Sequence, residues 1–131
     1  MNLLDEEEIY RVNVFDWNDA FSIIIKRGGF DIIIGNPPYL RIQGLQEYYN
    51  QQIQYFRDTY KSAVKRFDLY CLFIEKGLQL LSENGYLSYI CPHKFTHADF
   101  GSGLRNLLVS QKSIRKLVSF NNNLIFDQVS I

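Results

Sequence analysis

The stretch Phe30-Asp31-Ile32-Ile33-Ile34-Gly35-Asn36-Pro37-Pro38-Tyr39 constrains this chain more than any other. Phe30 with Ile32, Ile33 and Ile34 forms a nearly continuous β-branched and aromatic run, the pattern of a parallel strand covered on both faces. Gly35 at its end permits a bend and a close approach to the backbone. Two prolines follow. Each holds its own φ near about −65° and drives the residue before it into extended geometry, so Asn36 and Pro37 are both restricted. A stiff turn is therefore expected at the carboxyl end of a strand, where open α/β sheets place their ligands.

The chemistry of that turn follows from its donors and acceptors. Proline has no N–H, so the local backbone offers mainly carbonyl acceptors, with the Asn36 amide oxygen beside them. Two rigid acceptors suit an exocyclic amino group, which carries two N–H donors. Accepting both hydrogen bonds from an adenine-type amine draws its lone pair out of ring conjugation and towards an electrophile. The bonds tighten as positive charge develops on nitrogen, so they favour the transition state over the ground state. Tyr39 adds an aromatic face for a base taken out of a duplex stack. Without its context the same tetrapeptide is a turn starter and no more. The strand and Gly35 before it favour the chemical reading.

The 131 residues are 47% hydrophobic and 15% aromatic, enough for one domain with a real core. Lys plus Arg and Asp plus Glu number 14 each, so net charge gives no nucleic-acid signal by itself. Local charge is uneven: residues 5–8 are acidic, while Arg57, Lys61, Lys65 and Arg66 form a basic cluster interrupted by Asp58. Either run alone reads first as a solvated helix face. Cys71 and Cys91 are isolated thiols that fit a reducing cytoplasm and buried small hydrophobes better than a disulfide frame. No signal peptide, lipidation motif or apolar run of membrane length is present in the sequence.

Taken in order, residues 1–29 read as a lead-in and residues 30–131 as the body of the chain. Residues 10–15 suggest a strand leading to Asp16-Trp17, and residues 20–26 a short helix stopped by Gly28-Gly29. Within residues 40–66, Tyr49, Ile53, Phe56 and Tyr60 fall at helical spacing. The aromatics there, interleaved with the basic cluster, either pack and solvate a helix or face a nucleic acid. Residues 67–81 are the best helix, with Asp68 as N-cap, Phe67 and Leu72 as a hydrophobic staple, and Leu69, Leu72, Phe73 and Leu80 as its apolar face. Asn84-Gly85 is expected to end it. A strand over residues 86–91 then stops at Pro92, giving a strand–helix–strand order with parallel strands and a right-handed crossover.

Later features are read more plainly. Cys91, His93, His97 and Asp99 lie close in sequence, but their loose spacing argues against a metal site. Phe100-Gly101-Ser102-Gly103 mimics a cofactor-binding Gly-x-Gly loop, yet no strand precedes it directly and no acidic strand end follows. Ser102 is instead expected to cap a helix carrying Leu104, Leu107 and Leu108. A strand over residues 114–120 is expected next, then Asn121-Asn122-Asn123 and a second apolar run, residues 124–131.

Asn36-Pro37-Pro38-Tyr39 after a hydrophobic strand resembles the catalytic motif of amino-group methyltransferases that use S-adenosylmethionine. It is most similar to the DNA N6-adenine methyltransferases of bacterial restriction-modification systems, in particular the type II enzymes with methylase and nuclease on one chain. The Phe-Asp-Trp element, the Asp-Leu-Tyr helix, Asn-Gly and the Pro-x-x-Phe turn over Pro92 and Phe95 extend the likeness from about Phe15 to the last residue. The resemblance implies an α/β, Rossmann-like fold, double-stranded DNA as partner, a bacterial cytoplasmic setting, and Asn36, Pro37, Pro38 and Tyr39 as the catalytic set. It implies base stacking by Tyr39 and by Phe126, for which core packing is the rival reading. It also implies an acidic residue for the cofactor adenine near Asp16, whose other reading is a helix cap or surface carboxylate.

The same comparison exposes a gap. No acceptable glycine-rich loop, following acidic strand end, target-recognition region or nuclease region is found, so the cofactor-binding strands are expected to be missing. A catalytic-half fragment, inactive alone and not binding S-adenosylmethionine, is the expectation. It further predicts a bare hydrophobic edge at residues 30–34 and a homo-oligomer, or an aggregating monomer, formed through it. Protein-glutamine and ribosomal RNA methyltransferases share the turn, and a non-catalytic interaction module is a third class. The long aromatic connection at residues 40–66 and the Phe-Asp-Leu-Tyr helix favour DNA.

Overall fold

A computed structural model describes residues 15–44 and 50–120. The acidic run, the strand expected before Phe15, Tyr48, Tyr49 and residues 121–131, including Phe126, lie outside the described residues. Two short helices open the described chain, α1 (Trp17–Ala20) and α2 (Ser22–Lys26). Gly28 and Gly29 end the pair at φ +106° and +118°, the left-handed stop expected of them. Rings of Trp17 and Phe21 stack with centroids 5.7 Å apart, and Phe21 meets Phe30 edge-on at 5.1 Å. These aromatic contacts pin the lead-in onto the first residue of the next strand.

That strand, β1 (Phe30–Gly35), pairs in parallel with β2 (Leu81–Tyr89) to form a two-stranded sheet. Phe30 faces Leu81, Ile32 faces Tyr86 and Gly35 faces Tyr89, with an irregularity between the first two pairs that takes up Asn84 and Gly85. The expected helix stop at Asn84-Gly85 is therefore corrected. The helix ends at Leu80, and pairing of Leu81 with Phe30 captures the chain at once, so the Asn-Gly turn chemistry makes a bulge inside β2. The strand expected over residues 86–91 accordingly begins five residues earlier and ends at Tyr89.

Three elements connect the strands: a 3-10 turn at Ile42–Gly44, then α3 (Asn50–Thr59) and α4 (Leu69–Leu80). A further 3-10 turn at His93–Thr96 and another at Asp99–Gly101 lead into α5 (Ser102–Ser110). Helix α4 feeds two apolar clusters. One gathers Ile42, Ile53, Ala63, Phe67 and Leu72, with Phe56 and Tyr60 packed against it, so Ile53, Phe56 and Tyr60, read at helical spacing, lie on a packing face. The other joins Tyr70, Cys71 and Ile74 to Phe95, Leu104, Leu107 and Leu108. Each large apolar side chain so buried contributes roughly 1.5–3 kcal/mol.

Several local expectations change. Phe73 faces outward rather than joining the apolar face of α4. Asp68 holds the N-cap position at φ −98° and ψ 146° and is buried, but it makes no side-chain cap bond. Ser102 is the first residue of α5, and Gly101 takes the cap position without a side-chain bond. Residues 114–120 form no strand; Ile114, Leu117, Val118 and Phe120 are exposed, with no sheet edge engaging them. Finally, β1 is not covered on both faces: among the described residues only β2 pairs with it, and Ile32 and Ile34 are 64% and 78% exposed. No helix among the described residues is long and apolar enough to cross a membrane.

Candidate active site

Both strands of the parallel pair end at the same edge, at Gly35 and Tyr89. A Cβ on Gly35 would lie 3.1 Å from the Tyr89 ring, so the glycine makes room for that ring. From there the chain runs through residues 36–40 without regular structure. Pro37 is buried, whereas Asn36 and Pro38 are exposed. One anchor turns this segment back over the end of β2: the Tyr39 hydroxyl donates to the Ile90 carbonyl at 3.1 Å. The exit is tied to the start of α4, where Leu69 N–H donates to the Leu40 carbonyl at 2.9 Å and Ile42 N–H to the Phe67 carbonyl at 3.2 Å. Arg41 and Asp68 form an antiparallel bridge between those two bonds.

The turn is thus held at both ends while the Asn36 amide stays exposed and makes no side-chain hydrogen bond to the described residues. An unengaged amide on a fixed backbone is a donor–acceptor group available to a ligand. Tyr39 lies beside it, half-buried; burial, with Cys91 adding to the effect, pushes its phenol pKa up, so it stays neutral. Behind the turn lies a water-poor patch. Burial pushes the Cys71 thiol up to about 12 and raises Cys91. The Tyr70 hydroxyl is buried without a hydrogen-bond partner among the described residues, and burial raises its pKa strongly. Burial also raises the Asp68 carboxyl, with Arg41 and Lys94 pulling the other way.

Other sequence candidates fall elsewhere. Asp16 is exposed and caps α1, accepting the Asn18 N–H at 2.7 Å. Gly101 sits against the Phe95 backbone and Gly103 against the Lys61 carbonyl, so the Gly-x-Gly lookalike is closed by packing and offers no cradle for a cofactor. His93 and His97 face each other at 5.6 Å between ring centroids, Asp99 pairs with Lys65 at 3.0 Å, and no group of three or more potential metal ligands occurs among the described residues. A depression of about 260 Å³ lined by Lys61, Glu75, Leu78, Gln79, Leu107 and Gln111 shares no residue with the turn.

Two supporting residues escape the sequence reading. Glu75 is 3% exposed, and its carboxylate accepts the Lys61 N–H at 3.0 Å and the Ser62 N–H at 2.7 Å. Arg105 donates to the Phe95 and Ala98 carbonyls, each at 2.7 Å, fastening the connection after β2. The signal for Glu75 was a carboxylate directly after the apolar run Leu72-Phe73-Ile74, which must find donors when buried.

The described residues mix helix and strand in an α/β arrangement, with a proline-restricted polar turn at the carboxyl end of a parallel strand. The Eco57I restriction-modification methylase family model matches residues 1–126, and the chain belongs to that family. It is 38% identical over 121 residues to the type II restriction enzyme and methyltransferase RM.Eco57I of Escherichia coli, covering 92% of this chain and 11% of that protein. It is 32% identical over 127 residues to the type II methyltransferase M.BstVI of Geobacillus stearothermophilus, covering 97% and 22%. Against the type II methyltransferase M.HincII of Haemophilus influenzae it is 31% identical over 113 residues, covering 86% and 22%. The chain therefore spans between about a tenth and a fifth of these relatives' length. No solved structure matches.

Proposed function

We propose that the chain is the acceptor-binding part of a Rossmann-like DNA methyltransferase that transfers a methyl group from S-adenosylmethionine to the N6 amine of a flipped adenine. The observation that carries this is the exposed, unengaged Asn36 amide on a turn fixed by Tyr39 to Ile90 and by Leu40 to Leu69. Asn36 Oδ1 and the Pro37 carbonyl accept the two N6–H bonds, localising the lone pair on nitrogen. Tyr39 flanks the purine, and Phe126 is the second stacking ring. S-adenosylmethionine supplies the methyl group. The glycines that mimic its loop are closed by packing and supply no cradle for it, and Asp16 offers only its exposed carboxylate, which also caps a helix. The donor is accordingly held by parts of the enzyme outside these residues, packed along the open edge of β1.

The test is Asn36→Ala in a full-length methyltransferase carrying this chain. Removing one preorganised hydrogen-bonding group from a reacting centre lowers kcat by roughly 10²–10³-fold, while duplex DNA binding persists. Full turnover in that variant would end the proposal. A second reading, a non-catalytic interaction module, draws on the exposed Ile32 and Ile34 along the open edge of β1. Titration with labelled S-adenosylmethionine and an amine acceptor separates the two, since only an enzyme context turns over.

A further inference from the structure

Two cations of the basic cluster, Arg57 and Lys65, and two others, Arg105 and Arg115, are taken up by the fold, whereas the exposed Lys61 side chain makes no ion pair or hydrogen bond among the described residues but lies away from the turn, beside Glu75. Arg57 donates to the Lys65 carbonyl at 2.7 Å and lies 5.7 Å from the Phe67 ring centroid. Lys65 is paired with Asp99. Arg105 holds two carbonyls, and Arg115 lies over the Tyr86 ring at 5.3 Å. Arg41 and Lys94 differ. Both are exposed, and neither side chain makes an ion pair or hydrogen bond among the described residues.

Their placement is specific. Arg41 is the second residue past Tyr39 and is fixed there by its backbone bridge to Asp68. Lys94 lies four residues past Ile90, whose carbonyl receives the Tyr39 hydroxyl, and its own carbonyl accepts the Ala98 N–H at 2.9 Å. The two cations therefore stand on the two connections that leave the strand ends, beside the turn. The buried Asp68 carboxylate lies within electrostatic reach of both and pairs with neither.

We infer that Arg41 and Lys94 bind the backbone phosphates flanking the extruded nucleotide. This rests on the DNA reading above. Extruding a base swings it about its own backbone, so the phosphates on either side must be held while the base is out of the stack. Arginine supplies a planar fork for one phosphate and lysine a point charge for the other. Such contacts position the strand and carry no base specificity.

The experiment measures affinity for a short fluorescein-labelled duplex between about 50 and 200 mM salt, using a full-length methyltransferase carrying this chain. Arg41→Gln and Lys94→Gln are each expected to flatten the slope of log K against log salt by about 0.9 and to weaken binding roughly five- to tenfold near 0.1 M salt. Cognate and non-cognate duplexes should lose equally. Arg41→Lys keeps the charge and should restore the slope, which separates charge loss from misfolding. Lys26→Gln, at the other end of β1, should leave the slope unchanged. An unchanged slope in both Gln variants, an equal loss in Lys26→Gln, or weakened S-adenosylmethionine binding in place of the slope change overturns the inference. Asn36→Ala distinguishes the failures: its retained turnover sinks the base site, whereas an intact slope in the Gln variants sinks only the phosphate clamp.

Discussion

Replacing Glu75 by Ala tests how the long connection between β1 and α4 is held. The carboxylate is buried and accepts two backbone amides, Lys61 at 3.0 Å and Ser62 at 2.7 Å, and Ser62 is itself fully buried. Hydrogen bonds to a charged group contribute about 1.5–3 kcal/mol each, and a buried amide left without an acceptor costs about 1–3 kcal/mol. Lys61 is exposed, so water replaces its lost acceptor, whereas the Ser62 amide stays dry. The expected loss is therefore roughly 3–5 kcal/mol, a large share of the stability of an ordinary domain. With a urea slope of about 2 kcal/mol/M, the unfolding midpoint falls by about 1.5–2.5 M. Glu75→Gln keeps one carbonyl acceptor and should lose about half as much. Limited trypsin digestion gives a second readout, since Lys61, Lys65 and Arg66 become cleavable once the connection loosens. A midpoint shift below about 0.3 M, or unchanged trypsin resistance, refutes the anchoring role of Glu75.

Two further outcomes follow from the same structure. The raised Asp68 carboxyl means that its charged form is disfavoured in the fold relative to the unfolded chain, where the ordinary value of 3.8 applies. That cost is present above the raised value and disappears as pH falls through it, so Asp68→Asn should melt at or above the wild type at neutral pH, with the difference vanishing in acid; a destabilised neutral-pH melt contradicts this. The open edge of β1, with Ile32 and Ile34 exposed, should make the 131-residue chain self-associate by light scattering, and Ile34→Lys should disperse it. A compact monomer of the unmodified chain at high concentration counts against that expectation.

Much of the architecture was legible because local rules wrote it. Two glycines after an apolar helix, a β-branched run before Asn36-Pro37-Pro38, and apolar spacing in residues 69–80 all fix backbone states within a few residues, so α2, β1 and α4 fall where expected. The turn was legible for the same reason, proline restricting φ whatever surrounds it. The errors lie where a distant partner decides. Asn84-Gly85 has the chemistry of a helix stop, but Leu81 had already been claimed by Phe30 across the sheet. Residues 114–120 have the composition of a strand, yet neither strand of the described sheet pairs with them.

The sequence by itself determined the stiffness of the turn over residues 36–39, because the covalent geometry of proline acts there without neighbours. Only the tertiary structure decided which cations are spent on the fold and which remain for a ligand. Arg57 and Lys65 look no different from Arg41 and Lys94 in one dimension. A charge is free or committed according to the carbonyl, ring or carboxylate that folding carries to it, and here those partners lie up to 34 residues away along the chain.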